Sequence, residues 1–161
     1  MSGAMPVAET HCDPETAQQA LPGTTFADRF VTTVAEPGLD AGTAARRAFG
    51  TPIPWVSALM AVRGALVAPF GLRHSHKSTE RRVGFFPIVS EAPDRLVLGF
   101  DDRHLDFRIV VDATSAGAEE TEIGVATLVK TNNRLGRLYL ALVMPFHRRI
   151  VPAMLARVHR R

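Results

Sequence analysis

The stretch TEIGVATLVKTNNRLGRLYLALVMPFHRRIVPAMLARVHRR, residues 121–161, decides the fold. Its first part, Thr121 to Thr131, clusters β-branched and apolar residues at the density of a buried strand. After Asn132-Asn133 the period changes, and a long helix runs from about Arg134 to the C-terminus, bent at Pro145 and Pro152, each of which removes a helix hydrogen bond. Stepping that helix at about 100° per residue puts Leu135, Tyr139, Leu142, Val143, Phe146 and Ile150 on one broad apolar stripe. Arg137 and Arg148 lie opposite, and His147 falls at the edge of the apolar arc. The uncharged stretch Leu138 to Phe146 is too short to span a bilayer.

Working back from this unit, Val83 to Ser90, Arg95 to Asp101 and His104 to Asp112 read as further strands. Turns fall at Ala92-Pro93-Asp94, at Asp101-Asp102-Arg103 and over Ala113 to Glu120. Such short links imply antiparallel hairpins. Thr24 to Val34, with Phe26, Phe30 and Val34 alternating against Arg29 and Thr33, is the first strand. Asp40 caps a short helix that runs to Phe49 and ends at Gly50. A second helix follows Thr51-Pro52-Ile53-Pro54 and closes at Gly71. Residues 1–21 lack apolar periodicity and read as a disordered or loosely attached lead-in, leaving residues 22–161 as one domain. A sheet with one apolar face needs a cover, and the last helix is long enough to lie across it. The expected class is therefore α+β, an antiparallel sheet of five to seven strands wrapped on a long C-terminal helix, with two short helices after the first strand. This order is similar to the helix-grip fold of the START and Bet v 1-like superfamily, in which the sheet and final helix enclose an apolar cavity.

Composition narrows the function classes. The formal net charge is +3, with 19 Lys+Arg against 16 Asp+Glu. The excess is a property of the tail: residues 134–161 carry seven arginines and no acid, whereas residues 1–28 carry four acids and neither Lys nor Arg. The lone Cys12 cannot form an internal disulfide, which fits a reducing compartment. No secretory signal is visible, and a cytoplasmic location is expected. Ile53 to Leu72 is apolar for about a bilayer span, but Arg63 at its centre and three prolines near its ends favour a buried soluble helix. GxGxxG, Walker, GxSxG, HExxH and paired CxxC motifs are absent, so no cofactor and no metal are expected. Neither nucleic acid nor a membrane-spanning role is expected.

Several residues are placed where chemistry is available. In the second helix Trp55, Leu59, Val62, Leu66 and Phe70 form one stripe, Met60 lies beside it, and Arg63 projects between apolar groups, where a guanidinium requires an acid such as Asp102 or Asp106, water or an anionic ligand group. The small reverse face of that helix, Ser57, Ala61, Gly64, Ala65 and Ala68, suits close helix packing or a homodimer contact. Tyr139 faces inward with a hydroxyl to satisfy. His104, Asp106 and Arg108 share a strand face at spacing two, so Asp106 could raise the basicity of His104. The same alternation points that face to solvent if Leu105, Phe107 and Ile109 are core. His74 and His76 have metal-ligand spacing without a third ligand.

The run Val97-Leu98-Gly99-Phe100-Asp101-Asp102-Arg103-His104-Leu105-Asp106-Phe107-Arg108, with Thr131-Asn132-Asn133, Leu135-Gly136-Arg137-Leu138-Tyr139 and Pro145-Phe146-His147-Arg148, resembles a bacterial family known as domain of unknown function 2867. The likeness extends from about Phe26 to the end. It implies a shared fold and transfers no catalytic residue. The expected function is binding of a small apolar or amphipathic molecule in a cavity lined by Trp55, Met60, Phe107 and Tyr139, with Arg63 or His147 at its polar end. Two alternatives stand beside it: an enzyme of the cyclase, hydrolase or dehydratase kind using His104/Asp106 or His147, and an interaction module using the basic C-terminal helix.

Overall fold

The computed structural model describes residues 5–54, 57, 58, 61, 65, 69 and 81–160. The chain runs β1 (Ala8–Thr10), α1 (Pro14–Ala20), β2 (Phe26–Val34), α2 (Ala41–Phe49), β3 (Arg82–Val83), β4 (Phe86–Ala92), β5 (Arg95–Asp101), β6 (Leu105–Ser115), β7 (Thr121–Thr131) and α3 (Arg134–Leu155). A 3₁₀ turn, Ala156–His159, ends it. The strands make one antiparallel sheet in the order β1-β2-β7-β6-β5-β4-β3. Because β2 pairs with β7 from Phe26↔Val129 to Val34↔Thr121, the first long strand lies against the last. The final helix can then fold straight back over both. This is an α+β helix-grip arrangement, with the long C-terminal helix laid on a seven-stranded sheet.

Strand parity divides the sheet into two faces. Phe30, Val34, Leu96, Leu98, Ile109, Val111, Ile123 and Val125 point inward and form the main core with Ala41, Ala44, Ala45, Ala48 and Phe49 of α2. The end of α3 closes the same core through Val151, Met154 and Leu155, joined by Val158 of the terminal turn. Alanines along α2 let its backbone approach the sheet closely. Its first turn is held by Asp40, whose carboxylate accepts from Thr43 N (2.8 Å) and Thr43 Oγ1 (2.7 Å). Those two hydrogen bonds from Thr43, side chain first, lower the Asp40 pKa.

Two expectations are modified, and a third falls largely outside the described residues. The run from Val83 to Ser90 divides into β3 and β4 at a turn where Gly84 has φ +58, and a Cβ there would strike the Phe49 carbonyl oxygen at the end of α2. Only glycine fits both conditions. The lead-in is also built: Asp13 caps α1 through Thr16 N at 2.8 Å, and β1 pairs with β2. Ala17 and Leu21 seal a second core against Val97, Val110, Ala126 and Leu128 on the outer face. Lastly, the helix expected over residues 54–71, with Trp55, Met60 and Arg63, lies largely outside the described residues, and so do His74 and His76.

Candidate functional site

On β2 the inward parity belongs to Phe26, Asp28, Phe30, Thr32 and Val34, so two polar side chains stand on the core face. Asp28 is 8 % exposed and pairs in register with Thr127 of β7, itself buried. Burying a carboxylate costs several kcal/mol unless it is paired or hydrogen-bonded, on the order of the penalties known for buried charge. Its partner comes from α3. Tyr139, Val143 and His147 follow one another at four-residue spacing, one face of a helix, and His147 Nε2 lies 2.8 Å from Asp28 Oδ2. With the carboxylate accepting, the ring proton sits on Nε2. The edge of Phe26 meets the His147 ring at a centroid distance of 6.2 Å and holds its plane. Asp28 Oδ1, also buried, has no hydrogen-bond partner among the described residues.

A second polar group sits at the start of α3. The β5–β6 turn is closed by Asp102 N donating to Leu105 O at 3.0 Å, which takes His104 out of the strand and into the turn. His104 is 1 % exposed, its Nδ1 is 3.6 Å from Asp102 Oδ2, and its ring meets that of Tyr139 edge-on at 5.6 Å. Asn132 ties this turn down: its backbone N donates to His104 O (2.9 Å), and its Nδ2 donates to Asp102 O (3.1 Å) and Asp106 Oδ1 (3.2 Å). Asn133 Oδ1 caps α3 by accepting from Gly136 N at 2.9 Å. A Cβ on Gly136 would collide with the His104 carbonyl oxygen. Glycine thus lets the helix start directly on the turn.

Between these two groups the inner face carries aromatic rings. Phe107 of β6 meets Phe86 at 5.8 Å and Phe100 at 5.6 Å, and Phe86 reaches Phe49 at 6.1 Å. Phe26, Phe86, Phe100, Phe107 and Tyr139 are all half-buried rather than sealed into the core.

Of the residues singled out from sequence, Phe107, Tyr139 and His147 belong to the inner face, and His104 joins Tyr139. His104 and Asp106 are separated by the sheet: Asp106 lies on the outer face with Asn132 and, at 3.9 Å, Lys130. Trp55, Met60 and Arg63 lie outside the described residues. Among the described residues no cluster of three or more His, Cys, Asp or Glu could hold a metal ion. Spacing does not single out Asp28, and it offers Asp102 to Arg63 rather than to His104. The signal for Asp28 was available, since it shares the parity of Phe26 and Phe30.

A family model described as a protein of unknown function (DUF2867) matches residues 20–154. The chain belongs to the DUF2867 family. In this DUF2867 domain the match spans Asp28, His104, Tyr139 and His147, so the whole of the site falls inside it. A search of the solved structures returns a conserved protein of unknown function, EF2215 from Enterococcus faecalis. It is 15% identical, the match covers 90% of this chain and 80% of that one, and the TM-score is 0.38. No curated protein matches the DUF2867 chain.

Proposed function

We propose that this domain binds a small, largely apolar molecule between the sheet and α3, with the polar end of that molecule donating a hydrogen bond to Asp28. The observation that carries the reading is Asp28 Oδ1, buried and without a hydrogen-bond partner among the described residues, on a carboxylate whose other oxygen is engaged by His147. A buried acceptor left without a donor costs about 1–3 kcal/mol, which a ligand hydroxyl or amine recovers on binding. The half-buried rings of Phe26, Phe107 and Tyr139 supply apolar surface beside it, as small-molecule sites do. The helix-grip arrangement supports the same reading by its likeness to START and Bet v 1-like domains. Native mass spectrometry of the purified chain, with Nile red as a fluorescent probe, tests it. The wild type is expected to carry a bound mass or to take up the dye, and the Asp28→Leu/His147→Leu variant to lose the bound mass. A protein that carries nothing and takes up no dye sinks the proposal.

A second reading is favoured by one distance, the 2.8 Å between His147 and Asp28. An imidazole oriented by a carboxylate is the arrangement used for general acid–base catalysis, contributing roughly 10²–10⁴-fold in rate. Under this reading a cyclase, hydrolase or dehydratase acts on the same bound molecule. It separates from simple binding by time: a bound mass that changes on incubation with wild type, but persists unchanged with His147→Gln, indicates turnover.

A further inference from the structure

The face of α3 turned away from the sheet combines apolar and basic character. Leu138, Leu142 and Phe146 are 58 %, 64 % and 50 % exposed, and their spacing of four sets them in one ridge about 12 Å long. Isolated exposed apolar residues are ordinary, but a contiguous ridge is not. Arg134, Arg137, Arg148 and Arg149 are exposed on the same half of the helix. Arg148 stands three turns beyond Arg137 on one line, and Arg149 lies along the line of Leu138. None of the four guanidinium groups makes an ion pair or hydrogen bond with a described residue, and residues 134–161 contain no acid.

We propose that this face docks on the surface of an anionic lipid bilayer, with Leu138, Leu142 and Phe146 entering the headgroup–acyl boundary and the arginines meeting lipid phosphates. The layered chemistry of a bilayer surface fits a helix with an apolar ridge bordered by unpaired cations. A second copy applied to the same face would bring uncompensated arginines together. A phosphodiester backbone would leave the apolar ridge uncovered. The segment Arg134–His159 is long and apolar enough to cross a membrane by length and composition. It is nevertheless fixed along the sheet by the His147–Asp28 contact, the His104–Tyr139 contact and the buried Val151, Met154 and Leu155. It would therefore lie in the interface plane. The surface is distinct from the small-molecule site: Leu138, Leu142 and Phe146 are exposed, whereas the Asp28 and His147 side chains that carry that site are turned into the sheet.

Co-sedimentation of the full chain with vesicles of phosphatidylcholine alone, or containing about one-third phosphatidylglycerol, tests the docking, at low salt and at about 0.5 M salt. Retention is expected on the anionic vesicles only and falls as salt rises. Arg137→Gln with Arg148→Gln should lower the partition by roughly 25-fold, at about fivefold per arginine. Leu142→Gln with Phe146→Gln should lower it on the order of tenfold or more. All four positions are exposed, so the melting midpoint is expected to stay unchanged. No retention, equal retention on neutral vesicles, or retention indifferent to both double variants overturns the proposal. So does a concentration-dependent dimer abolished by Leu142→Gln/Phe146→Gln, which assigns the face to a second copy. Binding to polyglutamate as tight as to anionic vesicles also overturns it, in favour of an acidic protein.

Discussion

At the scale of single residues, Asp28 and His147 obey different rules from the rest of the inner face. Removing only the imidazole, as His147→Leu, leaves a buried carboxylate with neither oxygen engaged by a described residue, and a loss of about 1–3 kcal/mol in unfolding free energy is expected. Replacing both, as Asp28→Leu/His147→Leu, removes the desolvated groups together and should fall within about 1 kcal/mol of the wild type or exceed it, as for other buried polar pairs exchanged for apolar ones. Urea denaturation of the two single variants and the double variant reads this directly. A double variant as unstable as the sum of the singles would show that the pair is not coupled. His147 and Tyr139 were legible from helical spacing, because the 3.6-residue period fixes which residues share a line. Asp28 is legible by parity but hidden by its type, since the alternation shows through the apolar Phe26, Phe30 and Val34. Leu142 and Phe146 share a broad apolar arc with Tyr139, yet they are exposed. A helical wheel does not say which part of a wide arc a sheet will occupy.

At the scale of elements, the start of α3 is set by a turn rather than by the helix's own sequence. Asn132 binds the β5–β6 turn, Asn133 caps the helix, and Gly136 rests against His104. Two effects oppose each other when Gly136 becomes alanine. Helix propensity favours the change by roughly 0.5–1 kcal/mol, whereas the collision with the His104 carbonyl forces helix and turn apart, at about 1–3 kcal/mol for an overpacked contact. The geometry makes the collision win, so Gly136→Ala is expected to lower the melting midpoint and to weaken any binding that depends on Tyr139. A variant more stable than the wild type would mean that the helix does not sit on the turn. Chain order and spacing anticipated the helix, its cap region and the hairpins, because these are local. Contact between Asn132 and Asp102 is a tertiary event, and nothing in spacing announces it. His104 was assigned to a strand face by alternation, which fails where the turn begins one residue later than expected.

At the scale of the molecule, the sheet is covered on both faces, and the sequence carried a sign of it. Leu96-Val97-Leu98 and Ile109-Val110-Val111 are continuous apolar runs, and Val125-Ala126 and Leu128-Val129 are parted only by Thr127, the pattern of strands buried on two sides rather than one. The inward members meet α2 and α3, and the outward members Val97, Val110, Ala126 and Leu128 meet Ala17 and Leu21. Apolar periodicity is faint in residues 1–21 because α1 is seven residues long and presents only one buried side chain, Ala17, before Leu21 completes the contact. Leu21 is 4 % exposed, so Leu21→Ala should open a cavity on the outer face and cost about 2–5 kcal/mol. If the outer cover is part of one cooperative unit, that loss appears as a single shifted transition, and hydrogen exchange accelerates in β6 and β7 along with α1. Were the cover a detachable appendage, global stability would change by less than about 0.5 kcal/mol, and only β1 and α1 would exchange faster. The register of β1 on β2 favours the first outcome, since β2 also carries Asp28 and joins the outer cover to the strand that anchors α3.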